Sequence, residues 1–183
     1  SNLILNEMEE NKMVKISNIE TLLAEQAIRK AVTYYSRGCD RCDLEIFKKA
    51  FHADAEVKYG TYDGHYEKFC EEIVAGNLTL KDTSHTIINQ YYEIDINSNK
   101  ASGEIYVLAL WGSDGFNYTC SGRYLDKYES RDGDWRIVFR QYLYDWSRTT
   151  KYSGDDPNEI FKGLKYRGTQ NKNDISYSIL KNK

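Results

Sequence analysis

Two side chains in this sequence have the types that proton-transfer chemistry needs. His85 follows Thr83-Ser84 and precedes the apolar run Thr86-Ile87-Ile88. An imidazole at a strand entrance has an ordinary pKa near 6.5 and can take a proton near neutral pH. Asp40 lies in the turn Arg37-Gly38-Cys39-Asp40-Arg41-Cys42-Asp43. A carboxylate on the second ring nitrogen of a histidine fixes its tautomer and stabilises the imidazolium. Asp43 has a plainer role as the N-cap of the helix that follows. Asp40 is not needed for capping and is free to point inward. Nothing in the spacing alone joins Asp40 to His85, and a lone histidine is more often structural.

The elements that must position these residues can be read from periodicity. Residues 1–16 are polar and read as an arm. Ile19, Leu22, Leu23, Ala27, Ala31 and Tyr34 recur at helical spacing, with Ser17 or Asn18 as cap and Gly38 as stop. A second helix spans Asp43 to Phe51. His52-Ala53-Asp54 is a turn, Glu56–Tyr59 a short strand, and Tyr62-Asp63-Gly64 a hairpin turn. Tyr66 to Val74 is a third helix, ending near Gly76. The period then changes to two. Strands are expected at Thr86–Asp95, Ala101–Trp111, Phe116–Glu129 and Trp135–Trp146, with turns at Asn97-Ser98-Asn99, Gly112–Gly115 and Arg131-Asp132-Gly133. Helices first and hairpins second argue for an α+β domain whose antiparallel sheet curls around a pocket. Counting from Gly103, alternation turns Ile105, Val107, Ala109 and Trp111 toward that pocket. Ser147 to Asp156 reads as a loop, Asn158–Leu164 as a turn or two of helix, and Thr169–Lys183 as a flexible or docked tail. The domain proper is residues 17–146, with 147–183 as a C-terminal extension that offers itself as a lid.

Composition narrows the classes of function. The 183 residues carry a net charge of −3 with no basic stripe, which argues against nucleic acid as a partner. No apolar run approaches the ~18 residues of a membrane span. The start lacks a basic, then apolar, secretory leader, so a cytoplasmic location is expected. Cys39, Cys42, Cys70 and Cys120 read as reduced structural thiols. Cys39 and Cys42 form one C-x-x-C, and His52, His65 and His85 are scattered, so no metal site is expected. No glycine loop is present to cradle a nucleotide or flavin, and no cofactor is expected. Tyrosine occurs 16 times. Such rings supply apolar wall area and a hydroxyl donor, which suits an apolar cavity able to form hydrogen bonds.

The pattern Tyr35-x4-Asp40-x2-Asp43, Tyr59, Thr83-Ser84-His85, then Tyr124-Leu125-Asp126-Lys127-Tyr128-Glu129 through Asp132-Gly133-Asp134-Trp135, resembles the SnoaL-like branch of the nuclear transport factor 2-like superfamily. That group includes scytalone dehydratase, bile acid 7α-dehydratase, lindane dehydrochlorinase, ketosteroid isomerases and polyketide cyclases. The resemblance covers about Ile19 to Trp146. It implies a cone of helices packed on a strongly curved antiparallel sheet. It implies His85 as catalytic base, Asp40 as its orienting acid, and Tyr35 and Tyr59 as pocket hydroxyls able to hold an enolate oxygen. Two departures stand out. Ile105 occupies the position of a second histidine in scytalone dehydratase, and Ala109 that of an acid in the bile acid enzyme.

The resemblance therefore implies a cofactor-independent lyase or isomerase, of dehydratase or cyclase type. It would act on a small hydrophobic substrate of polycyclic, polyketide or steroid-like kind. The alternatives are a non-catalytic small-molecule-binding protein and an epoxide-hydrolase-like enzyme with an Asp-Arg-Asp arrangement. Relatives are commonly dimers or trimers, so a homodimer or homotrimer is expected, with Tyr92, Tyr106, Leu108 and Leu110 as the outer contact face.

Overall fold

The computed structural model describes residues 2–151 and 159–180. Helices α1 (Asn2–Asp40), α2 (Leu44–Lys48) and α3 (Tyr66–Asn77) pack on one side of a six-stranded sheet. Its strands are β1 (Phe51–Lys58), β2 (Asp63–His65), β3 (Asp82–Asp95), β4 (Lys100–Ser113), β5 (Phe116–Arg131) and β6 (Asp134–Lys151), in the order β2-β1-β6-β5-β4-β3. Short helices α4 (Glu159–Lys162) and α5 (Ser176–Ile179) follow. The architecture is the expected α+β one. None of the described helices is long and apolar enough to cross a membrane.

The meander β3–β6 is antiparallel throughout. The sheet as a whole is mixed, because β1 lies parallel to β6, pairing Phe51 with Ile137 and Val57 with Arg140. This corrects the all-antiparallel expectation. His52-Ala53-Asp54, read as a turn, belongs to β1. The hairpin turn falls earlier than Tyr62-Asp63-Gly64: the Tyr59 N–H donates to the Tyr62 carbonyl at 2.9 Å, and Asp63 and Gly64 already pair with β1. β6 runs on through Lys151, so 147–151, expected as loop, are strand; the rest of that loop, and Asn158, lie outside the described residues.

α1 begins at Asn2, so the stretch read as an arm is helical, and the helix runs through the expected caps at Ser17 and Asn18. Its buried face is Ala24, Ile28, Ala31, Val32, Tyr35 and Cys39, about one residue out of phase with the expected face. Ile19, Leu22 and Leu23 are exposed, because they precede the part of the helix that meets the sheet.

The end of α1 is closed by backbone hydrogen bonds. The Asp43 N–H donates to the Gly38 carbonyl at 2.9 Å and the Cys42 N–H to the Cys39 carbonyl at 3.3 Å, with Cys42 in the left-handed region at φ 48°. That is a Schellman closure, which satisfies helix-end carbonyls and reverses the chain. Gly38 does not stop the helix. It lets α2 approach: a Cβ there would lie 2.4 Å from the Phe47 backbone nitrogen. Asp43 caps α2 as expected, accepting from Ile46 N–H at 3.2 Å.

A bulge in β3 between Ile87 and Gln90 swaps which side chains face inward. Thr83, His85 and Ile87 point in before it, and Tyr92 and Ile94 after it. Tyr92, expected on the outer face, therefore packs inward against Tyr128, and Tyr91 is exposed instead. Tyr106 and Leu110 are exposed as expected, and Leu108 is half-buried.

Candidate active site

Asp40 is the last residue of α1, and the Schellman turn aims its carboxylate at the start of β3. Its Oδ1 lies 2.7 Å from His85 Nδ1, and its Oδ2 accepts from the His85 backbone N–H at 2.8 Å. The Thr83 hydroxyl adds a donor at 3.3 Å. These contacts join residues that nothing in the sequence spacing joined. With a proton on Nδ1 donated to Asp40, the neutral ring presents Nε2 as an acceptor.

His85 opens onto a cavity of about 270 Å³. Val107, Ala109 and Trp111 line it, as alternation predicted. Ile105 does not. It shares their strand face but pairs with Gln90 and Tyr124 deeper in the cone, where it joins the packed core and is fully buried. Tyr35 and Tyr59 both reach the cavity, and their hydroxyls hydrogen-bond each other.

Tyr124, Tyr142, Cys39, Cys120, Asn77, Ile73 and Leu80 complete most of the wall. Tyr59 stacks on Tyr142 with ring centres 5.3 Å apart. Sequence reasoning missed Tyr124 and Tyr142, although both lie on inward-facing positions of strands it had drawn. It also missed Asn77, because the third helix was ended short of it. Asn77 Nδ2 donates to the Cys39 carbonyl at 3.1 Å and to its sulfur at 3.2 Å.

Beneath the tyrosines lies a buried ion pair. Arg140 donates to both Asp126 oxygens, at 2.8 and 2.7 Å, and neither side chain has any exposure. Tyr128 OH donates to Asp126 at 2.5 Å. The guanidinium carbon sits 4.2 Å from the Tyr35 ring centre and 4.0 Å from that of Tyr124. Arg140 Nη1 has no hydrogen-bond partner. The two π faces provide the electrostatic contact such a cation needs.

Burial sets the protonation of the wall. It pushes the hydroxyls of Tyr35, Tyr59 and Tyr124 well above their ordinary value near 10, against the lowering pull of Arg140, so all three remain neutral donors. Burial alone would lower His85. The Cys39 sulfur and the Asp40 hydrogen bond outweigh it and hold the imidazole well above 6.5.

Cys39, Asp40 and His85 bring possible ligand atoms within 4.8 Å of one another. Both Asp40 oxygens are already engaged by His85, which leaves one sulfur and one nitrogen against the four ligands of a structural zinc site.

The SnoaL-like domain model matches residues 20–141. The chain belongs to the SnoaL-like family. Among curated proteins there is no significant match. Solved structures similar to this family member include a scytalone dehydratase-like protein from Novosphingobium aromaticivorans DSM 12444. It is 22% identical, with a TM-score of 0.63 over 76% of this chain and 99% of that one. Another is the hexachlorocyclohexane dehydrochlorinase LinA-type3 from Novosphingobium barchaimii LL02, 18% identical, with a TM-score of 0.68 over 77% and 99%. A Nostoc punctiforme protein of cystatin-like fold aligns at 18% identity with a TM-score of 0.55 over 66% and 90%. At these identities the likeness is one of fold.

Proposed function

We propose that this SnoaL-like protein is a cofactor-independent lyase or isomerase in which His85 is the general base. The observation that carries this reading is the 2.7 Å contact between Asp40 Oδ1 and His85 Nδ1 at the wall of an apolar cavity. Asp40 holds the ring so that Nε2 faces the cavity. Nε2 removes a proton next to a substrate carbonyl. The neutral hydroxyls of Tyr35 and Tyr59 donate to the enolate oxygen as charge develops there. A β-leaving group then departs, or His85 returns the proton to another carbon. General base catalysis of this kind supplies roughly 10²–10⁴-fold, and the oxyanion contacts a comparable factor.

The cavity selects the substrate class. Its volume is a little below the ~300–1,000 Å³ of drug-sized pockets, and Val107, Ala109 and Trp111 make its wall apolar. A compact one- or two-ring carbonyl compound fits these limits, which is narrower than a steroid. Dehydration and dehydrochlorination by the proteins named above are eliminations, and they supply the first compounds to try. Against the hydrolase alternative, no arginine lines this cavity among the described residues, and Arg140 lies behind the rings of Tyr35 and Tyr124.

The test is a panel of cyclic β-hydroxy and β-halo ketones assayed by the absorbance of the unsaturated product. Turnover that falls by two orders of magnitude or more in His85→Ala supports the reading. Full turnover in that variant, or tight binding of the panel without turnover, overturns it in favour of a binding protein.

A further inference from the structure

The thiol of Cys39 makes and breaks no bond in the elimination above, yet it sits where a nucleophile would. Its sulfur lies 3.9 Å from His85 Nε2, the nitrogen that Asp40 leaves free. Cys39, His85 and Asp40 thus form a thiol–imidazole–carboxylate chain, the arrangement that activates cysteine nucleophiles. The Asn77 amide donates to the same sulfur at 3.2 Å. All but Asp40 line the apolar cavity, together with the hydroxyls of Tyr35 and Tyr59. The remaining cysteines are placed differently. Cys70 is fully buried in the core, Cys120 contacts Tyr142 OH at 3.2 Å, and Cys42 lies in the turn beyond α1, outside the cavity lining.

We propose that Cys39 is a covalent attachment site for α,β-unsaturated carbonyl compounds held in this cavity, with His85 as its base. The step balances without an oxidant or reductant. The Cys39 S–H bond breaks and its proton passes to His85 Nε2. The sulfur forms a bond to the β-carbon. The C=C π pair moves toward the carbonyl and gives an enolate, whose oxygen accepts from Tyr35 or Tyr59. The imidazolium then returns the proton to the α-carbon, and the net result is addition of a thiol across the double bond. No standing thiolate is required, because deprotonation accompanies S–C bond formation. The elimination reading enters only through the identity of the electrophile: loss of water or halide β to a carbonyl leaves such a compound beside Cys39.

The experiment is to incubate the full chain with 2-cyclohexen-1-one and follow adducts by intact mass and peptide mapping. A first adduct on Cys39, forming about tenfold or more slower in His85→Gln and Asp40→Asn, supports the proposal. First labelling of the more open Cys42 or Cys120 with Cys39 unmodified overturns it, as does a Cys39 rate that both variants leave unchanged. The wild-type map is decisive by itself if a variant does not fold. The assay needs no turnover, so this proposal and the elimination reading can fail separately.

Discussion

Asp40 holds His85 at two points, the ring nitrogen Nδ1 at 2.7 Å and the backbone N–H at 2.8 Å, one carboxylate oxygen to each. The first contact sets the tautomer and the second ties the carboxylate to the backbone of β3. Asp40→Asn keeps the second contact but presents an amide to the ring, which favours the wrong tautomer. The expected outcome is a fall in kcat of roughly 10²–10⁴-fold with a near-normal melting temperature. Steady-state kinetics beside a thermal melt checks it.

The raised pKa of His85 moves stability and activity in opposite directions. A group whose folded pKa lies above its unfolded value of ~6.5 contributes stability that is complete below that value. The contribution is lost as pH rises through the folded pKa. The base, by contrast, must be neutral to act, so kcat/KM should climb above neutral pH. Cys39→Ala removes the largest influence that holds the imidazole up, and should move the rise in the pH–rate profile to lower pH. An unmoved profile would show that Cys39 has no hold on the imidazole and that Asp40 and Tyr124 suffice.

Asp126→Ala leaves the Arg140 charge in the interior with no carboxylate. Breaking a fully buried pair in this way costs about 3–5 kcal/mol, and each kcal/mol lowers the Tm of a chain of this size by roughly 2–4 °C. Calorimetry of that variant tests it. A loss under about 1 kcal/mol would mean that the Tyr35 and Tyr124 rings suffice to hold the cation.

Gly38→Ala forces a methyl against the Phe47 backbone, a neighbour that does not yield as a flexible side chain would. Overpacking of this kind costs about 1–3 kcal/mol. Because Asp40 is two residues away, activity should fall by more than the loss of stability explains. Urea unfolding and kinetics on the same sample separate the two.

The C-terminal segment clamps the turn that carries Asp40. Asp174 pairs with Arg41 at 3.1 Å, Tyr177 OH donates to Asp43 at 2.7 Å, and Gln170 donates to the Asn77 carbonyl at 3.0 Å. Hydrogen bonds from Ser176 and from the Thr169 N–H, with Arg41 behind them, hold the Asp174 carboxyl well below its ordinary range. Its stabilisation is therefore present above the unfolded value of ~3.9 and is lost as pH falls through the folded one. Asp174→Asn should be less stable than wild type at pH 7, with the difference closing below about pH 4. Acid titration of both proteins by circular dichroism checks this.

Much of this was legible in the sequence, and the failures share a cause. The four meander strands, the α+β class and the inward faces of Val107, Ala109 and Trp111 follow from a period of two, which is a local property. The parallel β1–β6 pairing, the placement of Tyr92 and the Arg140–Asp126 pair are set by distant partners. The bulge at Ile87/Gln90 inverts parity without any glycine or proline to mark it. Asp40 and His85 were picked out by type and by resemblance, but their contact depends on how the end of α1 meets β3, which no spacing encodes. In the C-terminal segment, Asp174, Ser176 and Tyr177 each have a partner near the turn at the end of α1, contacts that no local period announces.

The parallel pairing of β1 with β6 also bears on synthesis. Phe51 leaves the ribosome long before its partner Ile137 exists, and Tyr142 is the last cavity residue to be made. Until β6 emerges, the nascent chain has helices and part of a meander but no closed cone, and its aromatic face stays open to chaperones. Contacts so far apart in sequence also slow folding. Slower synthesis at any point between β1 and the emergence of β6 would lengthen this vulnerable interval.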